Sequence, residues 1–385
     1  MKTSETMPNQ NQSLNAAKGG TANWADRISP AVKAVPPSGI RRFFDLAAER
    51  KDVVSLGVGE PDFPTPQVIR DACSAMMQQG RIPYSSNMGM LELREEIVQV
   101  TEKDYGVSYD PVKEALITVG VSEAVDLAFR ALLSPGDHVL VPEPSYVSYQ
   151  ACVAFAGGVP IPVKTTIETE FRLTVRQLEE ALTPQTKMMI IGYPNNPTGA
   201  IMTREDLQEI ADFVEKHDLI VISDEIYAKL TYDGVHTCFA SLPGMRDRTI
   251  LMNGFSKAYS MTGWRLGYAL SNPDFIAAMN KIHQYTMLCA PLTAQVAALT
   301  ALRKADEDVA MMVAEYNRRR KLMLEGFRSM GMVCFEPKGA FYIFPSVREF
   351  GLTSMEFAEK LLAAENVAIV PGCAFGDSGQ GFIRC

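Results

Sequence analysis

The sequence lacks the features of several classes of protein. It has no CxxC pair, and its seven cysteines are widely spaced and odd in number, which argues against a disulfide framework or a zinc site. This cysteine usage favours a cytoplasmic location, and we predict no metal site. No apolar run approaches the length needed to cross a bilayer. The net charge of −8 argues against a general binder of nucleic acids or membrane surfaces.

The chain is long enough for two domains that share a large core. It has 385 residues, of which 47% are hydrophobic and 21% charged. Residues 1–23 are polar, so we predict a disordered tail there and not a signal peptide. We divide the remainder into a segment 24–55 that joins the small domain, a large domain 56–300 and a small C-terminal domain 301–385. We find no internal repeat.

Apolar strands alternate with helices through the middle of the chain. Runs such as 187–191 and 219–222 are apolar without interruption, which indicates an α/β fold with a mostly parallel sheet covered on both faces. A short amphipathic helix is predicted at 40–47. From about Thr293 the pattern predicts a long helix with a break near 304–306. Short strands at 333–336, 340–345 and 367–370 then predict a smaller α+β domain.

One lysine stands between two apolar runs. Lys257 follows the run 250–252 and precedes the run 266–270. A lysine among apolar neighbours loses hydration, so its pKa falls and its amine can attack a carbonyl such as the aldehyde of a cofactor. Most lysines lie on solvated loops, and Lys257 taken alone is compatible with that interpretation too.

Further polar residues follow the ends of predicted strands, where open parallel sheets bind their ligands. These residues are Ser122, Tyr146, Asn196, Asp224, Tyr227 and Lys257. Their shared placement favours one binding site at one edge of the sheet.

The chemistry of these residues matches the parts of pyridoxal phosphate (PLP). Asp224 closes an apolar strand and needs a cationic or N–H partner, which a protonated pyridine nitrogen would provide. Taken alone, it is also compatible with a helix cap or an ion pair. Tyr227 and Asn196 can hydrogen-bond the ring oxygen, and Tyr146 can stack on the ring. A phosphate cup is predicted from an arginine, a serine and the start of a helix. Its members are Ser256, Arg265, Val121 and Ser122.

From about residue 24 to residue 385 the chain resembles the fold-type-I, class-I aminotransferases. Within them it is similar to the branch of aspartate, aromatic and N-acetyl-diaminopimelate aminotransferases. Motifs in the family's order carry the resemblance: GEPDFPTP, YSSNMGMLELRE, PEPSYVSY, YPNNPTG, SDEIY, SKAYSMTGWRLGY, KGAFYIFP and VPGCAFG…GFIR.

The resemblance implies a PLP-dependent transaminase with roles for residues that match the family. Lys257 would bind the cofactor aldehyde and carry the proton, and Asp224 would pair with the pyridine nitrogen. Tyr84 matches a tyrosine that reaches the phosphate of the neighbouring subunit, which implies a homodimer with shared sites. Arg384 and the N–H of Gly59 would hold the substrate α-carboxylate. The reaction would be ping-pong, most often with 2-oxoglutarate as acceptor.

Two departures from the family bear on specificity and activity. Ser122 stands where relatives that bind acidic side chains through that position have lysine, which favours an aromatic or broad donor over aspartate. The sequence ends at Cys385 where the family continues with a strand end and a helix. We therefore expect a loose Arg384 and low activity, because untied termini are mobile.

The residues also leave other functions open. Carbon–sulfur lysis uses the same scaffold, and a weakly active or sensory PLP-binding protein is a further alternative. A PLP-responsive regulator would need a DNA-binding domain ahead of the core, where the sequence shows only a polar tail. Arg41, Arg42 and the segment 284–289 are expected in the substrate pocket from the resemblance.

Overall fold

The central element is a sheet that orients the rest of the chain. The computed structural model describes residues 24–37 and 52–385. The predicted tail 1–23, the predicted helix at 40–47 and residues Arg41 and Arg42 lie outside these ranges. The strands are β1 (Val54–Ser55), β2 (Ala115–Thr118), β3 (His138–Glu143), β4 (Val159–Lys164), β5 (Thr186–Gly192), β6 (Ile220–Asp224), β7 (Thr249–Gly254), β8 (Gly267–Leu270), β9 (Val367–Ala368), β10 (Val370–Pro371) and β11 (Ile383–Arg384).

The helices alternate with these strands. They are α1 (Pro30–Ala34), α2 (Gln67–Gln78), α3 (Leu91–Tyr105), α4 (Val121–Leu132), α5 (Ser148–Phe155), α6 (Val175–Ala181), α7 (Arg204–Lys216), α8 (Pro273–Thr286), α9 (Leu292–Lys304), α10 (Asp306–Ser329) and α11 (Ser354–Glu365). Thr203 begins α7 with a capping box, in which its side chain accepts from Asp206 N and the Asp206 side chain accepts from Thr203 N.

Within the described ranges the large sheet has the strand order β2-β8-β7-β6-β5-β3-β4. Neighbouring strands from β7 to β4 are parallel, whereas β8 runs antiparallel to both β7 and β2. β2 therefore has the same direction as β7. The carboxyl ends of β2, β3, β5, β6 and β7 and the amino end of β8 consequently meet at one edge.

Both faces of the sheet are buried because successive side chains point to opposite sides. In β5, Met188 and Ile190 pack in a core with Phe129 of α4, whereas Met189 and Ile191 pack on the other face with Phe213 of α7. This arrangement confirms the predicted α/β fold with a mostly parallel sheet. It also explains why the central strands are apolar throughout.

The C-terminal part of the chain adds smaller sheets and long helices. β1 pairs in parallel with β9, and β10 pairs antiparallel with β11. The predicted break in the long helix falls at Ala305, between α9 and α10. The strands predicted at 333–336 and 340–345 are wrong: neither segment forms a strand, and the isolated bridges nearby fall outside them, at Gly339 and Ser346.

None of the described helices combines the length and the apolar character that crossing a membrane requires.

Candidate active site

A cleft of about 490 Å³ opens at the edge where the strand ends meet. Eleven of the residues predicted for the site line it. They are Gly59, Val121, Ser122, Tyr146, Asn196, Asp224, Tyr227, Ser256, Lys257, Arg265 and Arg384. The structure thus gathers side chains that are widely separated in the sequence.

Lys257 follows β7 and is partly buried in this cleft. Its Nζ donates a hydrogen bond to the carbonyl oxygen of Gly59 at 2.6 Å. Burial lowers the pKa of Lys257 to about 8; the nearby Glu60 carboxylate opposes this decrease, and the Arg384 guanidinium adds to it. The amine is therefore easier to deprotonate than that of an ordinary lysine.

Asp224 ends β6 and is only 7% exposed. Its carboxylate accepts hydrogen bonds from the Tyr149 hydroxyl at 2.7 Å and from the Ile226 N–H at 3.2 Å. Burial raises the pKa of Asp224 to about 6, although both hydrogen bonds favour the ionised form. A cationic N–H brought into the cleft would offset the cost of keeping this charge buried.

Tyr149 was missed from the sequence. It lies on the first turn of α5, three residues after Tyr146, and the two rings meet edge to face with centroids 5.6 Å apart. Tyr146 precedes the helix, so the helical spacing rule does not relate the two rings. The sequence could not show that Tyr149 reaches Asp224.

Two parts of the predicted phosphate cup, Arg265 and the start of α4, lie together where β2 and β8 are side by side. Gly120 has φ +78°, and a Cβ there would lie 2.7 Å from a terminal nitrogen of Arg265. A Cβ on Gly267 would lie 2.6 Å from the Val121 nitrogen. Both positions therefore need glycine. Because neither residue has a side chain, the Arg265 guanidinium can lie against the start of α4.

Arg384 lies at the opposite side of the cleft and is 4% exposed. One terminal nitrogen donates to Asn196 Oδ1 at 2.9 Å and the other to the Gly57 carbonyl oxygen at 2.5 Å. The guanidinium also lies over the rings of Tyr342 and Phe375, at 4.6 and 4.8 Å from their centroids.

The expectation of a loose Arg384 is wrong. Arg384 pairs with Val370 in the antiparallel β10–β11 ladder. The next residue, Cys385, exchanges two backbone hydrogen bonds with Ile343, at 2.9 and 3.0 Å. These bonds and the contacts of the guanidinium hold the arginine in place.

Tyr342 was also missed from the sequence. Its hydroxyl lies 2.6 Å from the hydroxyl of Tyr227, and both side chains are 5% exposed. The motif KGAFYIFP contains Tyr342, but it gives no indication which of its three aromatic residues faces the cleft.

Tyr84 was predicted for the site but does not line the cleft. Its side chain is 81% exposed in the single chain. The segment 284–289 does not line the cleft either, although the Asn87 side chain ties it to the Tyr84 loop by donating to the Leu288 carbonyl oxygen at 2.7 Å. Tyr285 in this segment is 85% exposed.

A larger cleft of about 700 Å³ is a weaker candidate. None of the residues predicted for the site lines it. His236, which lines it, is already paired outside it, with its Nε2 2.7 Å from Glu225 Oε2. The smaller cleft is the better candidate for the active site because it combines a lysine of lowered pKa with a carboxylate of raised pKa.

Comparison with known proteins agrees with this geometry. Residues 51–385 match the family described as Aminotransferase class I and II. The aspartate aminotransferase of Pyrococcus abyssi is 46% identical over 93% of this chain and 92% of its own length. The aromatic-amino-acid aminotransferase 2 of Thermococcus litoralis is 44% identical over the same shares of the two chains.

A solved structure shows the same fold. The crystal structure of the aromatic aminotransferase from Pyrococcus horikoshii OT3 superposes with a TM-score of 0.85 at 45% identity. The match covers 90% of this chain and 92% of that one.

Proposed function

Since this chain belongs to the class I and II aminotransferase family and is an aminotransferase, we propose that it moves the amino group of an L-amino acid to a 2-oxo acid with the help of PLP. The observation that carries the proposal is the convergence of Lys257, Asp224 and Arg265 on one cleft. The proposed acceptor is 2-oxoglutarate and the proposed kinetic order is ping-pong, as in the family that the sequence resembles.

The residues present fit the cofactor. Asp224 is a buried carboxylate whose recorded hydrogen-bond donors are neutral, so the pyridine N–H would supply the cation it requires. Arg265 and the N–H groups at the start of α4 suit a phosphate, with Ser122 and Ser256 beside them. Asn196 and Tyr227 would hydrogen-bond the ring oxygen, and Tyr146 would stack on the ring.

Once bound, PLP would supply an aldehyde that takes up the amino group and a ring that withdraws electrons. The chain supplies orientation and proton transfer. Lys257 Nζ takes the proton from the substrate Cα, for which its lowered pKa suits it. Arg384 pairs with the α-carboxylate, assisted by the Gly59 N–H, and thereby fixes which Cα bond faces the lysine.

The proposed donor is an aromatic or a broad range of amino acids, with acidic ones as the alternative. Ser122 favours this order because a serine offers no charge to a side-chain carboxylate. Both kinds of donor occur among the names of similar proteins.

We further propose a cytoplasmic homodimer. All seven cysteines are free, which suits a reducing compartment. The exposed Tyr84 suits a residue that completes the site of a second subunit.

The test is the absorption spectrum of the protein with PLP, recorded before and after the addition of glutamate, aspartate or phenylalanine singly. We expect a visible band that at least one donor bleaches and that 2-oxoglutarate restores. Lys257→Ala should retain some PLP but lose this response entirely, because no amine remains to move the proton.

Lys229→Ala is the matched control, since Lys229 lies outside the cleft with its Nζ 3.7 Å from Asp104. Turnover in Lys257→Ala like that of the unmodified protein would contradict the proposal. Release of pyruvate and sulfide from cystathionine or cysteine would indicate carbon–sulfur lysis instead. A band indifferent to every donor would indicate a sensory or weakly active protein.

A further inference from the structure

Tyr342 lies between the two halves of the cleft. On one side its hydroxyl is 2.6 Å from that of Tyr227, and on the other its ring lies under the Arg384 guanidinium at 4.6 Å. We propose that Tyr342 is a positioning residue that orients Tyr227 through its hydroxyl and Arg384 through its ring. The inference rests on the proposed function, which assigns Tyr227 to the cofactor and Arg384 to the substrate.

The Tyr342 hydroxyl controls whether the Tyr227 hydroxyl can donate to another partner. Two phenols in contact share one hydrogen bond, so the phenol that accepts keeps its own O–H for another partner. When Tyr342 donates, the Tyr227 O–H is free to point into the cleft. Burial raises the pKa of Tyr227 far above its usual value, so this phenol stays protonated and can act as a donor at any working pH.

The Tyr342 ring restricts the position of the Arg384 guanidinium. Tyr342 and Phe375 each present an aromatic face to the guanidinium, at 4.6 and 4.8 Å. Stacking on aromatic faces restricts a planar cation and leaves its edge N–H groups free to bond a carboxylate. Asn196 and Gly57 occupy one N–H on each terminal nitrogen, and these bonds set the rotation within the plane.

Tyr342 also lies close to the backbone of Gly59. A Cβ on Gly59 would lie 2.6 Å from the Tyr342 hydroxyl oxygen. The segment that carries Gly59 therefore rests directly on this tyrosine. Tyr342 thus contacts the proposed carboxylate-binding backbone as well as the arginine.

Two variants separate the two roles. Tyr342→Phe removes the hydroxyl and keeps the ring, whereas Tyr342→Leu removes both. Tyr316→Phe is the matched control, because the Tyr316 hydroxyl is buried without a hydrogen-bond partner among the described residues. Its ring packs 5.3 Å from Phe341, and it lines a neighbouring cleft and not the proposed active site.

Two readouts are needed. The first is the pH midpoint of the visible band of the PLP-bound protein, which reports on the hydrogen bonds to the cofactor. The second is the Kd of the cofactor-free protein for a carboxylate without an amino group, either 3-phenylpropionate or maleate, whichever the unmodified protein binds more tightly.

Tyr342→Phe should shift the midpoint by about half a pH unit or more, since Tyr227 loses its partner. Its Kd should stay within about twofold, since the ring that supports Arg384 remains. Tyr342→Leu should shift the midpoint and raise the Kd about tenfold. Tyr316→Phe should change neither quantity.

An unchanged midpoint in Tyr342→Phe would overturn the role of the hydroxyl. An unchanged Kd in Tyr342→Leu would overturn the role of the ring. A protein without a visible band would instead contradict the proposed function, and the carboxylate titration, which needs no cofactor, would still test the ring. The two failures are therefore distinguishable.

Discussion

At Lys257 and Asp224, burial acts on two ionisable groups in opposite directions. It lowers the pKa of the lysine to about 8 and raises that of the aspartate to about 6, because the charged form is disfavoured in both cases. The lysine thereby approaches the neutral form that attacks a carbonyl. The ionised Asp224 carboxylate is buried without a cationic hydrogen-bond partner among the described residues. Keeping this charge buried lowers the stability of the cofactor-free protein.

Asp224→Asn should therefore stabilise the cofactor-free protein at pH 7.5. The folded-state pKa of about 6 lies above the unfolded value near 3.8, so folding is penalised at pH values above 6. The penalty is at most about 3 kcal/mol, since the shift is about two units. We expect a higher unfolding temperature in calorimetry, with the gain shrinking as the pH falls from 7 to 4.

Asp137→Asn is the control for the sign of this effect. The Ser134 N–H and the Lys187 ammonium lower the pKa of Asp137, so its stabilising contribution is present at neutral pH and is lost as the pH falls. The substitution should destabilise at pH 7.5. An Asp224→Asn protein that unfolds earlier than the unmodified one at pH 7.5 would contradict the argument.

At the scale of elements, the cup depends on the turn between β2 and α4. Gly120 combines a left-handed φ of +78° with a close approach to Arg265. A side chain there is strained and also displaces the guanidinium from the helix start. The turn therefore links a local backbone requirement directly to the proposed phosphate binding.

Gly120→Ala should weaken PLP binding about tenfold or more, because a charge-assisted contact and the helix N–H groups are both disturbed. Gly106→Ala is the matched control, since Gly106 ends α3 with φ +72° and has open space around its Cα. Both variants should lose similar backbone stability. Equal PLP affinities in the two, measured by fluorescence titration, would argue against the cup.

Much of the sheet could be predicted because its central strands are apolar without interruption. β4 was not predicted because Pro160 and Pro162 interrupt its apolar pattern. These prolines are tolerated because β4 is an edge strand of the sheet. The strands expected at 333–336 and 340–345 failed because an apolar extended segment still needs a partner strand along its length.

The site was predictable where strand ends and motifs marked its residues, as for Asp224 and Lys257. Tyr149 and Tyr342 were not, since their importance lies in contacts with residues far away in the sequence. Tyr149 meets Asp224 and Tyr342 meets Tyr227 only after the sheet has formed. No spacing in the sequence encodes those distances.

At the scale of the whole molecule, the proposed dimer makes each site depend on two chains. Lys257 lies partly buried in the cleft of its own chain, whereas Tyr84 is exposed at the surface. If Tyr84 completes the partner's site, inactive variants at the two positions should rescue each other.

Coexpressed Lys257→Ala and Tyr84→Ala chains should form mixed dimers with one intact site and one site that lacks both groups. We expect the purified mixed dimer to regain about half the activity of the unmodified dimer, because one of its two sites is complete. The assay is transamination after separation by two different affinity tags. Activity no higher than that of the parent variants would contradict the shared site.

The antiparallel β8 has a consequence for how the protein folds. The cup depends on Thr118 and Gly267 lying opposite each other in the β2–β8 ladder, although they are far apart in the chain. Contacts between such distant segments form slowly, because a long loop must close before they contribute. If the proposed cup binds phosphate, we expect a refolding chain to gain this binding only after the sheet has closed at this edge. The time at which PLP affinity appears during refolding would measure when this edge of the sheet forms.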